Sequence, residues 1–467
     1  MKTSILGAAR DPRFKEYAYV SAELANVFSR PDCKEKVAAL FMGEWVKVLK
    51  EDDTWPYVRY RGGKGYIATE QLSRNRVLEI FFIDVGQGDA ILIQTPDDRR
   101  VLIDGGINSS AHEFITNKYR LDKKDNYIDF EAIVCTHSDE DHIKGIIPIL
   151  KDEKIAVKRV FHNGLFRRND KKNDPGPHVN ERQFGLVDTW PTEGEKPGLT
   201  AGMVKFLEAA RTAEDRLPKC LGKMRDMPRW EGEIEARPKG LVFSRLDAKD
   251  GKLPPFDGKD GKLAIDVLWP CAEKDSEGQL FYPRYIDAGK TVNGNSVVLS
   301  VCMGKFKILL TGDLNEKSMK DLLDRTKRDN MSLVSNVLKA AHHGSKEFYP
   351  DFLKEVGANA VVVSSGDDKL DQYVHPRAVL IGTVMKQARS EKPAFFCTEL
   401  AACYSMLSKE ESKKFREYSG QLYERSYQGT VKLSSDGKMM CLGTAHGRRD
   451  PTDPQAQLNW KWDTWSE

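Results

Sequence analysis

The sequence has no strong excess of charge of either sign, since 73 lysine and arginine residues are balanced by 70 aspartate and glutamate residues. This balance excludes nucleic-acid binding through overall charge, so any basic surface must be local. No apolar run approaches the roughly 20 residues of a membrane-spanning helix. The apolar part of the N-terminus is too short for a signal peptide. We therefore expect a cytoplasmic protein without a membrane partner.

The sequence also has no Cys-x-x-Cys pair, although it contains eight cysteines. Scattered cysteines are typical of reduced, mostly buried thiols in a cytosolic protein. The chain has 467 residues, which is enough for two or three domains with a large core.

A dense group of potential metal ligands occupies the stretch from His137 to His142. The apolar run before it, Ala132-Ile-Val-Cys135, indicates a buried strand. Alternation at the strand end directs His137, Asp139 and Asp141 the same way, and His142 follows as the chain turns into a helix. One aspartate here would often only cap that helix. Four such side chains packed without a cation would be electrostatically expensive, so the stretch predicts a metal site.

Other acids and histidines stand at the ends of further predicted strands. Asp89 and Asp104 follow buried strands in glycine-rich turns, where an aspartate can also simply stabilise the turn. Asp313 ends the strand that begins at Lys307, and His342 and His343 are adjacent after the next apolar run. Two neighbouring histidines are rarely needed for core packing, so we interpret them as functional.

The stretch Thr-His137-Ser-Asp-Glu-Asp-His142 resembles the metallo-β-lactamase superfamily signature Thr-His-x-His-x-Asp-His, with Asp139 where most members have a second histidine. This variant resembles the nuclease-like domain of the DNA-uptake channel ComEC and its soluble relatives. The resemblance covers roughly residues 77 to 440 apart from an insertion. It is supported by Asp84-Val-Gly-Gln-Gly-Asp89, Leu102-Ile-Asp-Gly-Gly106, Asn293-Gly-Asn-Ser296, Leu338-Lys-Ala-Ala-His-His-Gly-Ser345, Tyr373-Val-His-Pro376 and the hairpin from Tyr427.

The resemblance implies an α/β fold, the metallo-β-lactamase αββα sandwich, and two divalent metal ions. The implied ligands are His137, Asp139, Asp141, His142, Asp313 and one of His342 or His343; the sequence does not say which. An aspartate at 139 makes the site harder and more anionic, which favours manganese or magnesium over zinc. Manganese or zinc is our expectation, with magnesium as an alternative.

The remaining site residues are assigned to orientation and substrate contact. Asp104 and Asp89 are expected to orient the ligating histidines through hydrogen bonds. His162 is a further candidate ligand or substrate contact. Asp141 and His375 are the expected catalytic residues, and His375 is a substrate contact or proton donor, unless its proline merely holds it in a loop. The predicted substrate-side positions also include Asn295, Ser296 and Ser345.

The predicted domain order is a small β-barrel at 1–74, a hydrolase domain at 75–446 and a tryptophan-rich tail at 447–467. Trp55, Val58, Gly65 and Tyr66 resemble the closing motif of bacterial SH3-like domains. Trp45, Trp55 and Tyr66 then either fill the barrel core or bind a partner. The tail is expected to dock on this chain or on another protein.

The hydrolase domain contains an insertion at about 163–262, with a helix predicted from Leu199 to Leu217 and a basic loop near Arg167. The insertion is either a lid or substrate groove that meets a phosphate backbone, or a solvated loop.

These features predict metal-assisted hydrolysis, most directly a nuclease or phosphodiesterase that cleaves DNA with a metal-activated water. One alternative is hydrolysis of a small phosphodiester, ester or lactam. Another is a binding adaptor whose site is vestigial. A catalytic domain fused to a recognition barrel suggests a regulated bacterial nuclease, for example one that acts against foreign DNA.

Overall fold

The computed structural model describes residues 16–169, 174–191, 198–225, 240–259, 263–366, 375–399, 429–446 and 461–466. Tyr373, Tyr427, Trp460 and part of the basic loop lie outside these ranges. Among the described helices, none combines the length and the apolar composition that crossing a bilayer requires.

The N-terminal domain is a small antiparallel barrel, as predicted. Its sheet has the strand order β3-β2-β6-β5-β4-β1-β7. The strands are β1 (Tyr17–Val20), β2 (Leu24–Phe28), β3 (Lys36–Phe41), β4 (Trp45–Lys50), β5 (Tyr57–Tyr60), β6 (Gly63–Tyr66) and β7 (Leu72–Ser73).

Apart from Tyr60, the barrel core is aliphatic, and it does not depend on Trp45, which is 45% exposed. Val27, Val46 and Val58 are fully buried there. Trp55 instead packs edge-on against Phe28, with ring centroids 5.8 Å apart. Of Trp45, Trp55 and Tyr66, at least Trp45 is thus available at the barrel surface.

The second domain begins with strands that alternate with short helices. Its first part comprises β8 (Leu78–Phe82), β9 (Ile91–Gln94), β10 (Arg100–Ile103), α1 (Ser110–Tyr119), β11 (Ile128–Phe130), β12 (Ala132–Cys135), α2 (Glu140–Ile143), α3 (Ile146–Lys151), β13 (Ile155–Val157) and β14 (Arg159–His162). The insertion adds β15 (His178–Val179), β16 (Arg182–Gln183), α4 (Ala201–Arg225) and β17 (Val242–Arg245).

The remainder of the second domain builds the other half of the sandwich. It comprises β18 (Lys252–Asp257), β19 (Ala264–Trp269), β20 (Glu273–Lys274), β21 (Leu280–Pro283), α5 (Ala288–Gly294), β22 (Val298–Met303), β23 (Phe306–Leu310), α6 (Glu316–Arg328), β24 (Val337–Lys339), α7 (Pro350–Val356), β25 (Ala360–Val363), α8 (Ala378–Gln387), β26 (Ala394–Cys397), β27 (Val431–Ser435), β28 (Met440–His446) and β29 (Lys461–Ser466).

Two sheets face each other across an apolar core. The first has the order β17-β14-β12-β10-β9-β8-β27-β28-β29, and the second has β18-β19-β22-β23-β24-β25-β26. Strand periodicity explains the layers, because successive side chains point to opposite faces. In β10, Val101 and Ile103 face the second sheet, while Leu102 packs with the helices outside.

Helices cover both outer faces. Residues from α1, α3 and α4 pack on the first sheet, and Leu309 of β23 packs beneath α6, α7 and α8 on the other side. The predicted helix-sheet-sheet-helix sandwich with an N-terminal β-barrel is therefore confirmed.

Parallel strands place the predicted polar residues together. β10, β12 and β14 run parallel in the first sheet, and β23, β24 and β25 run parallel in the second. The residues that follow these strands leave the sandwich at its carboxyl-end edge. Asp104, His137, Asp313 and His343 all follow such strand ends.

The insertion and the tail both extend the sandwich. The predicted helix is α4, which runs further than expected, to Arg225. β16 pairs with β21, which ties the insertion to the second half of the domain. The tail strand β29 pairs antiparallel with β28 and lengthens the first sheet, so the tail backbone docks on this chain.

Candidate metal centre

The described residues contain four clusters of potential metal ligands. Within each cluster the ligand atoms lie within 4.8 Å of one another, and the clusters share members. They are His137 with His142 and Asp313; Asp141 with His142 and His343; Asp89 with Asp104 and His142; and Asp89 with Asp313 and His343. Seven of the sequence-predicted residues, drawn from both sheets, therefore meet at one centre.

His137 and His142 present the same ring nitrogen to this centre. The Nδ1 atom of His142 donates to Asp104 Oδ2 at 2.8 Å. The Nδ1 atom of His137 lies 3.1 Å from Thr136 Oγ1 and 3.3 Å from Ser296 Oγ. Both Nε2 atoms are buried without a hydrogen-bond partner among the described residues. Each Nδ1 contact fixes the ring so that Nε2 is free for a ligand.

Of the two adjacent histidines, His343 is better placed than His342 to be a metal ligand. Its Nδ1 donates to the carbonyl of Ser364 at 3.0 Å, and its Nε2 lies 3.3 Å from Asp313 Oδ2 and 3.6 Å from Asp141 Oδ2. The His342 side chain is 27% exposed, and its Nε2 is 3.9 Å from Asp313 Oδ2. His342 therefore lies at the rim of the centre.

A left-handed turn produces this difference between the two histidines. The φ angles of His342 and His343 are 49° and 52°, and Gly344 follows at 85°. Left-handed conformations are uncommon outside glycine and asparagine, so the turn costs free energy. Through this turn the two neighbouring rings point in different directions, so that His343 reaches Asp313 while His342 stays at the rim.

Asp313 is the acid at the middle of the centre. It is 2% exposed, its Oδ1 lies 3.5 Å from His142 Nε2, and that oxygen is buried without a hydrogen-bond partner. Three buried imidazole nitrogens and one carboxylate oxygen thus converge without partners within the described part of the chain. Nitrogen and oxygen donors in this arrangement fit a divalent transition metal.

The electrostatics support the same conclusion. Burial lowers the pKa of His142, but the charges of Asp313 and Asp104 outweigh it and raise the pKa well above the usual range. Burial raises the pKa of Asp141, but the charges and hydrogen bonds of His142 and His343 outweigh it and lower that pKa. Without a cation, protonated imidazoles compensate the carboxylates, and a metal ion would replace those protons.

Asp104 and Asp89 hold the ligand residues in place. Asp104 accepts hydrogen bonds from Thr136 N at 2.8 Å and Thr136 Oγ1 at 2.6 Å, besides its contact with His142. Asp89 pairs with the ammonium group of Lys339, which is fully buried, and lies 3.5 Å from His343 Nδ1. The sequence analysis includes Lys339 in the motif from Leu338 to Ser345 but assigns it no role, because a lone lysine in the apolar run of β24 does not identify its partner.

Asp139 has a different environment from the other acids. Arg167, from the insertion, donates from Nε to Asp139 Oδ1 at 2.6 Å and from Nη2 to Oδ2 at 2.9 Å. Asp139 Oδ2 is 3.8 Å from His137 Nε2, and Asp139 belongs to none of the four clusters. Its role as a metal ligand stays a prediction. The sequence predicts Arg167 only as part of a basic loop.

The other sequence-predicted residues lie at different distances from the centre. Ser296 contacts His137 and also accepts from the backbone N of Asp313 at 3.1 Å. Asn295 is buried and bonds to backbone carbonyls of Pro283 and Thr291. The Ser345 hydroxyl accepts a hydrogen bond from the backbone N of Glu347, two residues along the chain, and its role as a substrate contact stays a prediction.

His162 and His375 lie outside the four clusters. The His162 ring packs between Phe166 and Phe243, with centroids 4.8 and 4.6 Å away. The His375 ring centroid is 6.0 Å from that of His342. Burial and the charges of neighbouring groups, His343 first among them, lower the pKa of His375 to about 3, so that it is neutral near pH 7.

Glycine is required where loops approach one another at the centre. Gly88 has φ +108°, and a Cβ atom there would lie 1.9 Å from the carbonyl oxygen of Asp141. A Cβ atom on Gly145 would lie equally close, 1.9 Å, from the carbonyl of Gly105. These contacts explain the glycines on both sides of the ligand stretch.

Comparison with known families agrees with this architecture. Residues 83–205 match the model of the Metallo-beta-lactamase superfamily, and residues 21–74 match the model of the Bacterial SH3 domain. The chain is therefore similar to the metallo-β-lactamase superfamily over residues 83–205 and to bacterial SH3 domains over residues 21–74, and the donor set at the centre fits the metal dependence of that superfamily.

Among individual proteins, the chain is similar to ComE operon protein 3 of Bacillus subtilis (strain 168). The two are 24% identical over 325 residues, which cover 66% of this chain and 31% of that relative. The chain thus spans about a third of the relative's length.

Among solved structures, the chain is similar to Tm1679, described as a metal-dependent hydrolase of the beta-lactamase superfamily (13% identity, TM-score 0.33, 71% of this chain and 97% of that one). Another is the metallo-beta-lactamase fold protein YhfI from Bacillus subtilis (9% identity, TM-score 0.33, 70% and 98%).

Proposed function

We propose that this protein is a metal-dependent phosphodiesterase that cleaves DNA. The observation that carries the proposal is the buried Asp313, which lies between His142 and His343 beside Asp141. The two acids Asp141 and Asp313 give the site an anionic character, which suits divalent ions that themselves attract a phosphate group. The motif resemblance to ComEC nuclease-like domains supports DNA as the substrate.

When divalent ions are bound, they supply a Lewis acid and a water of lowered pKa. His142, held by Asp104, and His343, held by the Ser364 carbonyl, orient the ligand nitrogens. Asp141 Oδ2 lies 3.6 Å from His343 Nε2 and accepts a hydrogen bond from Gln87 Nε2 at 3.2 Å. A carboxylate in this position accepts the proton of the attacking water and keeps the water aligned with phosphorus.

His375 is proposed to contact the substrate. Because its pKa of about 3 leaves the ring neutral near pH 7, it acts as a hydrogen-bond donor or acceptor rather than as an imidazolium acid. Its Nδ1 atom is buried and has no hydrogen-bond partner among the described residues, so it retains bonding capacity.

The exposed Trp45 supports a second, separate proposal, that the barrel binds a protein partner or positions the substrate. The barrel contributes no member to the four ligand clusters, so this role would lie outside the chemistry.

The test is a hydrolysis assay on the purified full chain after metal removal and reloading with manganese, magnesium or zinc. The substrates are linear and circular DNA, single- and double-stranded DNA, RNA, cyclic nucleotides and a lactam. We expect metal-restored DNA cleavage that D141N abolishes. Cleavage of only small substrates would refute DNA as the substrate. A chain that binds no metal and hydrolyses nothing would indicate an adaptor.

A further inference from the structure

The pair between Asp139 and Arg167 divides the acids of the centre into two groups. Asp141 and Asp313 face imidazole nitrogens, whereas Asp139 and Asp89 are each paired with a cation of the protein itself. Arg167 provides the first of these cations and Lys339 the second. The protein therefore places one basic side chain on each of two sides of its proposed metal centre.

The two cations differ in accessibility. The Lys339 side chain is fully buried and also lies 3.3 Å from the carbonyl of Gly312, so it is enclosed by protein. The Arg167 side chain is 18% exposed and reaches the centre from the insertion, next to Asp139, which is 22% exposed. Only Arg167 of these two can therefore meet a molecule that enters from solvent.

The geometry of the pair leaves part of the guanidinium unused. Asp139 accepts from Nε and Nη2, which is one bidentate edge of the group. An arginine has five N–H donors, and a second edge formed by Nη1 and Nη2 remains for another planar or tetrahedral anion. No nitrogen of Arg167 is among the buried atoms that lack a partner in the described chain, which agrees with access to solvent.

Asp139 holds this arginine close to the ligand atoms. Its Oδ2 is 3.8 Å from the Nε2 of His137, which belongs to a ligand cluster. With its nitrogen turned toward acceptors, the Asn293 amide also donates to Asp139 Oδ2, at 3.1 Å. Two donors and a buried histidine thus fix the carboxylate, and the carboxylate fixes the guanidinium fork.

We infer that Arg167 is a specificity-determining residue that binds an anionic oxygen of the substrate beside the metal centre, with Asp139 as its positioning residue. The inference rests on the proposed function and narrows it, because it selects a negatively charged phosphodiester over a neutral ester or lactam. A guanidinium binds phosphate bidentately, which a neutral carbonyl cannot match.

The test compares R167A and R167K with R168A, which removes the same charge from the adjacent residue of the loop. Each protein is measured for metal content, for binding of inorganic phosphate by calorimetry, and for hydrolysis of bis-p-nitrophenyl phosphate and the neutral p-nitrophenyl acetate. We expect R167A to lose roughly 10²–10³-fold in kcat/KM on the diester and to weaken phosphate binding. R167K should recover part of both, and R168A should resemble the parent.

Two results would overturn the inference. One is R167A that binds phosphate and cleaves the diester as the parent does. The other is R167A that gains an equivalent of bound metal and keeps its activity, because Arg167 would then only occupy Asp139. If the parent itself hydrolyses no diester, the proposed function fails, and the phosphate titration still decides the role of Arg167.

Discussion

The two sides of the centre use aspartate in opposite ways. On one side, Asp313 and Asp141 face His142 and His343, and buried ligand atoms remain without hydrogen-bond partners in the described part of the chain. On the other side, Asp139 is neutralised by Arg167, which the insertion supplies. Adjacent carboxylates of one sequence motif can therefore serve two purposes. Which purpose applies depends on the cation that the rest of the fold brings to each of them.

The largest effect is expected on the metal side, at Asp141. D141N keeps the size of the side chain but removes the charge that binds a cation and accepts a proton from water. Each loss alone is worth roughly 10²–10⁴ in rate. Hydrolysis should therefore fall below detection while circular dichroism shows a folded protein. Parental rates in D141N would place the chemistry elsewhere.

A large loss of stability is expected at the buried pair of Asp89 and Lys339. K339M keeps the volume of the side chain but leaves the buried Asp89 carboxylate without its cation, which costs about 3–5 kcal/mol. Chemical denaturation of the metal-free chain measures this loss. The D89N/K339M double variant should recover much of it, because no uncompensated charge remains. Equal stability of K339M and the parent would mean that the pair is not buried as described.

Much of this comparison could be predicted from the sequence, because the motif residues follow strands whose parallel order brings their ends together. His137, His142 and Asp313 meet for that reason. Arg167 and Lys339 could not be assigned, because a single cation carries no periodic signal and its partner is set by tertiary packing. Which of His342 and His343 reaches the centre depends on a left-handed turn, and histidine at these positions does not predict such a turn. Strand β29 depends on a sheet edge that only the fold creates.

A moderate effect of pH on metal affinity is expected on the side of His142 and His343. In the metal-free protein the pKa values of His142 and His343 are raised, so these imidazoles must release protons when a cation binds. Metal affinity should therefore fall as pH falls, by about tenfold per pH unit for each proton released. Calorimetry in two buffers of different ionisation enthalpy counts those protons. Metal binding without proton release would contradict the assignment.

The smallest effect is expected from removal of the barrel. Residues 75–467 retain every member of the four clusters and the tail strand β29. They lose the packing of Phe41 and Met42 against Val77 and Cys441, together with polar contacts such as the hydrogen bond from Ser434 Oγ to the Met42 carbonyl at 2.8 Å. We expect this fragment to bind metal and to keep basal hydrolysis. A fragment that is folded and metal-loaded yet inert on every substrate of the full chain would make the barrel part of the active site.

The most direct test of the account is the metal content of H343A and H342A beside the parent, measured by elemental analysis after reloading with manganese. The structure directs the Nε2 of His343 at Asp141 and Asp313 and leaves His342 at the rim. We predict that the parent holds metal, that H342A keeps most of it and that H343A loses it. A parent without metal, or an H343A variant that binds as much as the parent, would contradict the proposed centre.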